Sequence, residues 1–395
     1  MFSLYGLGNI LGAGIYVLVG DVAAVAGNGL LWSFLIAGTV ATFTALTYSS
    51  FATKYPVSAG AAVYTERAFN SKQLSTIIGL SLAFTGVVSA SALLHGFDRY
   101  FQQLIAATSL AGRVPSTAVI LAMVLLLSLI AFKGMKESAI LAVGLTIIEA
   151  AGLLLIIGFA GVNGDVVGSL NQSVRAISTV EPMTIFLGGF LAFYAFIGFE
   201  DMVNIAEEVV EPRRSIRKGM MLALIGATAL YVLTAIAALS VLSSGELAAS
   251  KAPLASVFKA ASGSSLPIIT IIGLFAVTNG ILAQIIMSSR VLYGLAREGW
   301  LPKAFGRISA KNQTPTIATA VSMITIAIGA IALPLVTLAK ITSFALLIIF
   351  SMVQIAALRL ISKKQLGLNR AIPVIGLTTN VVIITIQVLS WLGKL

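Results

Sequence analysis

Long apolar runs separated by short polar breaks dominate the chain. They lie at about 2–26, 30–51, 74–94, 117–132 and 139–162, and again at 220–242, 266–287, 317–332, 335–358 and 372–391. An α-helix rises about 1.5 Å per residue, so about 20 such residues cross the hydrocarbon core of a bilayer. The stretch from Met183 to Lys218 is different. Its apolar opening, Met183 to Phe199, runs directly into Glu200 and Asp201. A carboxyl group at such depth costs at least about 2.5 kcal/mol unless it faces water or a partner, so a plain spanning helix is a poor account of it. Gly198 sits beside the acids, where a helix can open. The first run carries a similar interruption at Gly12-Ala13-Gly14. This pattern predicts an all-α polytopic membrane protein of about eleven transmembrane helices, with the first and sixth broken.

Composition agrees with the pattern. Of 395 residues, 58% are hydrophobic and 10% charged, with a mean hydropathy of +1.03 that ordinary soluble domains do not reach. The formal charge of +11 would suggest nucleic acid in a soluble protein. Here the loops absorb it. With a cytoplasmic N-terminus, all but seven of the 25 Lys and Arg fall on the inner side, the exceptions being Arg99, Arg113, Arg175, Lys251, Lys259, Lys340 and Lys394. The positive-inside rule then places the C-terminus outside, in a multi-pass protein of the cell membrane. Nucleic acid is not needed as a partner. With no cysteine and one histidine, His95, neither a thiolate nor a histidine metal cluster is available, and no cofactor is expected. The N-terminal run lacks a basic flank and reads as a retained first helix.

Short loops punctuated at Pro56, Pro115, Pro212, Pro302 and Pro373 leave no room for a soluble domain, so residues 1–395 form one membrane domain. Five spans, at about 1–162, match five more, at about 183–358. A broken helix leads each half, and the odd number of spans per half makes the halves an inverted repeat. The helix at about 372–391 is an addition. Two interrupted spans in corresponding positions of two halves point to a transporter's binding site.

The chemistry of those breaks is specific. Around Gly12, Ala13, Gly14 and Ile15 the glycines let the backbone leave helical geometry, and freed N–H groups at a new helix start favour a carboxylate. Close helix packing is the competing account, since Gly8 and Gly12 also form a small-xxx-small face. In the sixth span, a break at Phe196-Ile197-Gly198-Phe199 would free the carbonyls of Tyr194, Ala195 and Ile197 for an ammonium group. Together the breaks fit a zwitterion, with Phe196 the preferred gate among aromatics that otherwise read as core. The spacing Gly6-x-Gly8-x-x-x-Gly12 imitates a loose dinucleotide fingerprint, but no strand precedes it.

These motifs resemble the amino acid, polyamine and organocation transporter superfamily. G-A-G-I-Y lies in the first span, and F-I-G-F-E followed by E-E-x-x-x-P-R-R-x-I in the sixth. Pro56 to Gly60 with Tyr64, and Arg290 to Pro302, are similar as well. The resemblance covers nearly the whole chain. It implies the five-plus-five inverted-repeat, LeuT-like fold, with spans one, two, six and seven moving against three, four, eight and nine. It also implies amino acid substrates, held at the carboxylate by Gly12, Ala13 and Gly14 and at the amine by Tyr194, Ala195 and Ile197. Glu207, Glu208, Pro212 and Arg213 would join a cytoplasmic closure network, with a solvated, positively anchored loop as the alternative.

Two departures from the family pattern bear on mechanism. The chain starts almost at its first span, without the cytoplasmic segment usual in the family. In the fifth span, Glu149 stands where sodium-independent relatives often carry a lysine. A lone carboxyl in an apolar run could take and release a proton each cycle, which makes Glu149 the candidate proton-coupling residue. A permanently protonated structural residue and a sodium ligand are the other readings. Ser288 and Ser289, near the hydroxyls of sodium-coupled relatives, keep a cation site open. Gly280, Gln284 and Ser288 share one helix stripe, and Ser81, Thr85 and Ser89 another, fit either to line the site or to bond between helices. His95 reads as interfacial.

The resulting expectation is a secondary active transporter moving amino acids by alternating access as a proton-coupled symporter. An uncoupled exchanger or a polyamine carrier is the rival within the class, and a non-transporting sensor a remote one. An intramembrane enzyme would need a nucleophile or metal motif, and HExxH, cysteine and a histidine pair are all missing from the sequence. The particular amino acid, the stoichiometry and the oligomeric state are not encoded in any motif.

Overall fold

The computed structural model describes residues 2–11, 14–56, 60–133, 138–203, 212–309 and 314–394, with the backbone alone at 133, 138–142 and 212–214. Among the described residues there is no strand. In lipid every backbone polar group must be satisfied within its own segment, and continuous helix does that for apolar runs such as these.

The described residues form sixteen α-helices, in order α1 (Phe2–Leu11), α2 (Gly14–Ala26), α3 (Leu30–Lys54), α4 (Gly60–Phe69), α5 (Lys72–Ile105), α6 (Ser116–Lys133), α7 (Ser138–Asn163), α8 (Val166–Thr179), α9 (Pro182–Ala192), α10 (Pro212–Val241), α11 (Ser244–Ala249), α12 (Pro253–Ser262), α13 (Ile268–Arg297), α14 (Thr316–Ala332), α15 (Leu335–Ser362) and α16 (Ala371–Trp391). Among the described residues eight stretches are long and apolar enough to cross a membrane, and 116–132 and 316–332 are shorter apolar helices. The first stretch, Phe2–Lys54, has 53 residues. Straight, it would measure about 80 Å, far more than one crossing. It turns back at Gly27–Gly29, where Gly27 adopts φ +54°, and both arms, α2 and α3, pack along α9.

The outer surface is itself apolar. Leu125 is 63% exposed, Ile324 62% and Leu154 57%, which only a lipid solvent accommodates over so many positions. Inside, small residues let helices approach. The most extensive packing joins α5 and α13, where Gly79 receives Leu295 and Gly86 receives Ser288. Helix α1 lies against α10 and α7, and Gly8 meets Thr146 so closely that any side chain there would overlap it.

Polar sequence signals set the helix starts outside the core. Ser71 caps α5 by accepting from the Leu74 amide, Asp165 caps α8 through the Gly168 amide, and Pro182 and Pro253 open α9 and α12. Helix α5 extends 11 residues beyond the expected end at Leu94, because His95, Asp98, Arg99 and Gln102 all find partners on one turn after another.

Candidate functional site

The flanks of the first expected interruption meet the second. Helices α1 and α2 are separated by Gly12 and Ala13, which lie outside the described residues, so the expected carboxylate cradle is represented by its flanks, Asn9 to Leu11 and Gly14 onward. Helix α9 ends at Ala192, four residues before the expected break. The chain tightens into a 3-10 turn at Phe193–Phe196, becomes extended at Ile197 (ψ 139°) and reaches φ +118° at Gly198. That last conformation strongly favours glycine. A Cβ on Gly198 would overlap the Asn9 carbonyl, and one on Gly14 would overlap the Ala195 backbone. Glycine at both positions lets one broken helix touch the other, so close packing and a backbone-lined site coexist.

Between the breaks lies a small cavity of about 20 Å³, lined by Asn9, Ile10, Gly14, Ser89, Leu93, Tyr194, Ile197, Gly280, Ala283 and Gln284. This holds a water or two, so an amino acid would enter only with separation of the helices. Both breaks, α5 and α13 contribute walls. Of the sequence-predicted residues, Gly14, Tyr194, Ile197 and Gln284 line it directly, as do Ser89 and Gly280 of the two polar stripes. Ile15 is fully buried in α2. Ser288 and Ser289 donate to the Gln284 and Ile286 carbonyls of their own helix.

Tyr194 lines the cavity, whereas Phe196, the expected gate, does not. Phe196 turns away from the cavity, its ring 5.0 Å from that of Tyr231 on α10. Tyr194 instead extends across the site, donating from its hydroxyl to the Ser89 carbonyl at 2.9 Å with the Ser89 hydroxyl at 3.1 Å. Its carbonyl accepts the Ile197 amide in the 3-10 turn.

Tyr231 is the residue that sequence reasoning missed. Its hydroxyl lies 2.7 Å from the Ile10 carbonyl and 2.8 Å from the Ala195 carbonyl, one phenol proton serving the loose ends of both broken helices. A tyrosine in the middle of an apolar span was the available signal, since a buried hydroxyl must find a partner. Tyr16 acts similarly. It donates to the Glu149 carbonyl at 2.6 Å, and its own carbonyl accepts from Tyr100 at 2.8 Å.

Glu149 is fully buried on α7, facing α13. Its Oε1 accepts from Asn279 Nδ2 at 3.1 Å and its Oε2 has no hydrogen-bond partner. Such an acid is costly as an anion and carries a spare position for a proton. Glu207 and Glu208 lie outside the described residues, and Arg213 is described only as backbone in the first turn of α10. Among the described residues no group of three His, Cys, Asp or Glu is placed to hold a metal ion.

A multi-pass helical membrane protein with two apposed broken helices is thus the class. The chain belongs to the amino acid permease family, whose model matches residues 2–393. It is 29% identical to the branched-chain amino acid permease BcaP of Bacillus subtilis, over 98% of this chain and 87% of that protein. A methylthioribose transporter of the same organism is 28% identical, over 91% of this chain and 80% of its own length. Cationic amino acid transporter 9 of Arabidopsis thaliana, a chloroplastic protein, is 30% identical over 77% of this chain and 56% of that protein. Family and relatives point to a transporter rather than an enzyme, and to amino acids as substrates.

Proposed function

We propose that this protein is a secondary active amino acid transporter working by alternating access, with proton symport through Glu149. The carrying observation is the cavity walled by Asn9, Ile10 and Gly14 from one broken helix and by Tyr194 and Ile197 from the other. Backbone groups freed at two such breaks suit the carboxylate and ammonium of an α-amino acid, Gly12 to Ile15 taking the first and the sixth-span carbonyls the second. Because Ala195 already accepts from Tyr231, its second lone pair is the one left for substrate.

The transport scheme rests on eleven spans, the first and sixth broken, with the N-terminus cytoplasmic. The packing supports an inverted repeat at 1–162 and 183–358. Exchanging each span for its counterpart five later maps the α1–α10 pair onto the α9–α3 pair, both of them extensive. It maps the α5–α13 pair onto itself. Substrate stabilises the occluded form only through contacts that the open forms lack, and closure of both breaks around a ligand provides them.

Uptake into proteoliposomes tests this, with labelled amino acids under an inward proton gradient, an inward sodium gradient and no gradient. Accumulation driven by protons alone is the expected result. Uptake that needs only preloaded internal amino acid makes the protein an exchanger and removes the coupling role of Glu149.

A further inference from the structure

Below the cavity, the sixth-span acids form a second polar cluster that the scheme above does not use. Glu200 is 3% exposed and Asp201 6%, in the turn at 200–203 that follows Gly198. Glu200 Oε2 accepts the Gly198 amide at 2.9 Å, while Oε1 has no partner. Asp201 Oδ2 accepts from Gln284 Nε2 at 3.4 Å, while Oδ1 has none. Gln284 Oε1 is likewise buried and unpartnered, and Gln284 is also a wall of the cavity. The ion pairs among the described residues are Arg67–Glu66 and Arg99–Asp21, and neither reaches this cluster.

Three buried acceptor oxygens without donors, on two adjacent acids and the amide that joins them to the cavity, lack a positive partner. A buried carboxylate is kept ionised only by pairing, and removing or withholding the partner costs several kcal/mol. Gln284, a wall of the cavity and a hydrogen-bond partner of Asp201, joins the two. Among the described residues the two carboxyls have no third acidic or imidazole ligand, a poor match for a divalent ion and a better one for a monovalent ion.

We propose that Asp201, reached from the cavity through Gln284, is a binding subsite for a monovalent cation, either the ammonium or guanidinium of a basic substrate side chain or a free sodium ion. This rests on the cavity being the substrate chamber. On binding, Gln284 turns its unpartnered oxygen to the cation, and Asp201 supplies the charge at the substrate's distal end. Backbone recognition at the breaks is thereby joined to a side-chain filter one turn below.

Thermal unfolding of the purified full chain in detergent tests the subsite, with lysine, arginine, leucine or sodium chloride added and choline chloride as control. Lysine or arginine, or sodium, raises the melting temperature, and Asp201→Asn weakens that apparent affinity at least about tenfold while helix content by circular dichroism is unchanged. A shift with basic amino acids alone assigns the cation to the substrate, and a shift with sodium alone assigns it to a free ion. If Asp201→Asn does not fold, Gln284→Leu, which keeps the carboxyl and removes the bridge, gives the same comparison. No shift with any cation, or equal shifts in wild type and variant, overturns the subsite and leaves a protonated acid pair. Sodium stabilisation with no response to any amino acid would sink the amino acid reading and leave the subsite standing.

Discussion

Arg99 Nη1 on α5 lies 2.8 Å from Asp21 Oδ2 on α2, tying the second piece of the first broken helix to the helix that walls the cavity. Below this pair the same seam is closed by Tyr100 donating to the Tyr16 carbonyl and by Gly96 receiving Val17. Access from this side requires all three to part. Both charged side chains are partly exposed, so the pair is worth about 0.2–1 kcal/mol. Asp21→Asn or Arg99→Gln should therefore favour the open form about 1.4- to fivefold. The chain has no cysteine, so Ala283→Cys offers a single reporter in the cavity wall. Its modification by a membrane-impermeant thiol reagent should quicken in either variant and slow again when the two charges are exchanged. Equal rates throughout would refute the latch.

Tyr231→Phe removes one hydroxyl and leaves the Ile10 and Ala195 carbonyls to find other partners. An abandoned buried acceptor costs about 1–3 kcal/mol. The ring keeps its packing on Phe196 and Phe34, so the loss should fall on the geometry of the breaks. Uptake is expected to drop about tenfold or more with a modest fall in melting temperature. Wild-type uptake by the variant would show that the breaks hold their shape without it.

Gly198→Ala combines an unfavourable φ of +118° with overlap of the Asn9 carbonyl, and Gly14→Ala overlaps the Ala195 backbone. Neither neighbour is a flexible side-chain end. Each substitution should abolish substrate binding by forcing the broken helices apart, whereas Gly144→Ala, which meets open space, should be silent. Equilibrium binding of a labelled amino acid separates the three.

Glu149→Gln keeps the size of the side chain and an oxygen for Asn279, but cannot release a proton. Under an imposed pH gradient it should lose accumulation and retain exchange of internal for external substrate. Asn279→Ala should shift the pH dependence of uptake while leaving Glu149 in place. Accumulation by Glu149→Gln equal to wild type would end its coupling role.

Outside the membrane, Ser243 and Glu246 form a reciprocal cap on α11. The Ser243 amide, and after it the Ser243 hydroxyl, hold the Glu246 carboxyl below the usual carboxylate range. With the folded value depressed, the cap is fully made above the ordinary glutamate pKa and is lost as pH falls through the lowered one. Protection factors of the α11 amides, which remove the intrinsic pH dependence of exchange, should be unchanged between pH 7 and pH 5 in wild type and lower throughout in Glu246→Ala. Loss of protection already at pH 5 would contradict it.

Much of this molecule is legible in its sequence. Apolar run lengths determine that the chain is helical and polytopic, because a bilayer tolerates no other way to satisfy so much backbone. Gly14, Gly198 and the acids after Phe199 mark the breaks, because glycine and buried charge are expensive in a plain span. Contacts between distant spans were decided by tertiary structure alone. That Tyr194 rather than Phe196 crosses the cavity depends on how far the 3-10 turn rotates the chain after Ala192. That Tyr231 serves both breaks depends on α10 lying against α1 and the sixth span at once. Helical periodicity assigns residues to a face, but the neighbour that a face meets is set by the rotation and packing of whole helices, which no local pattern encodes.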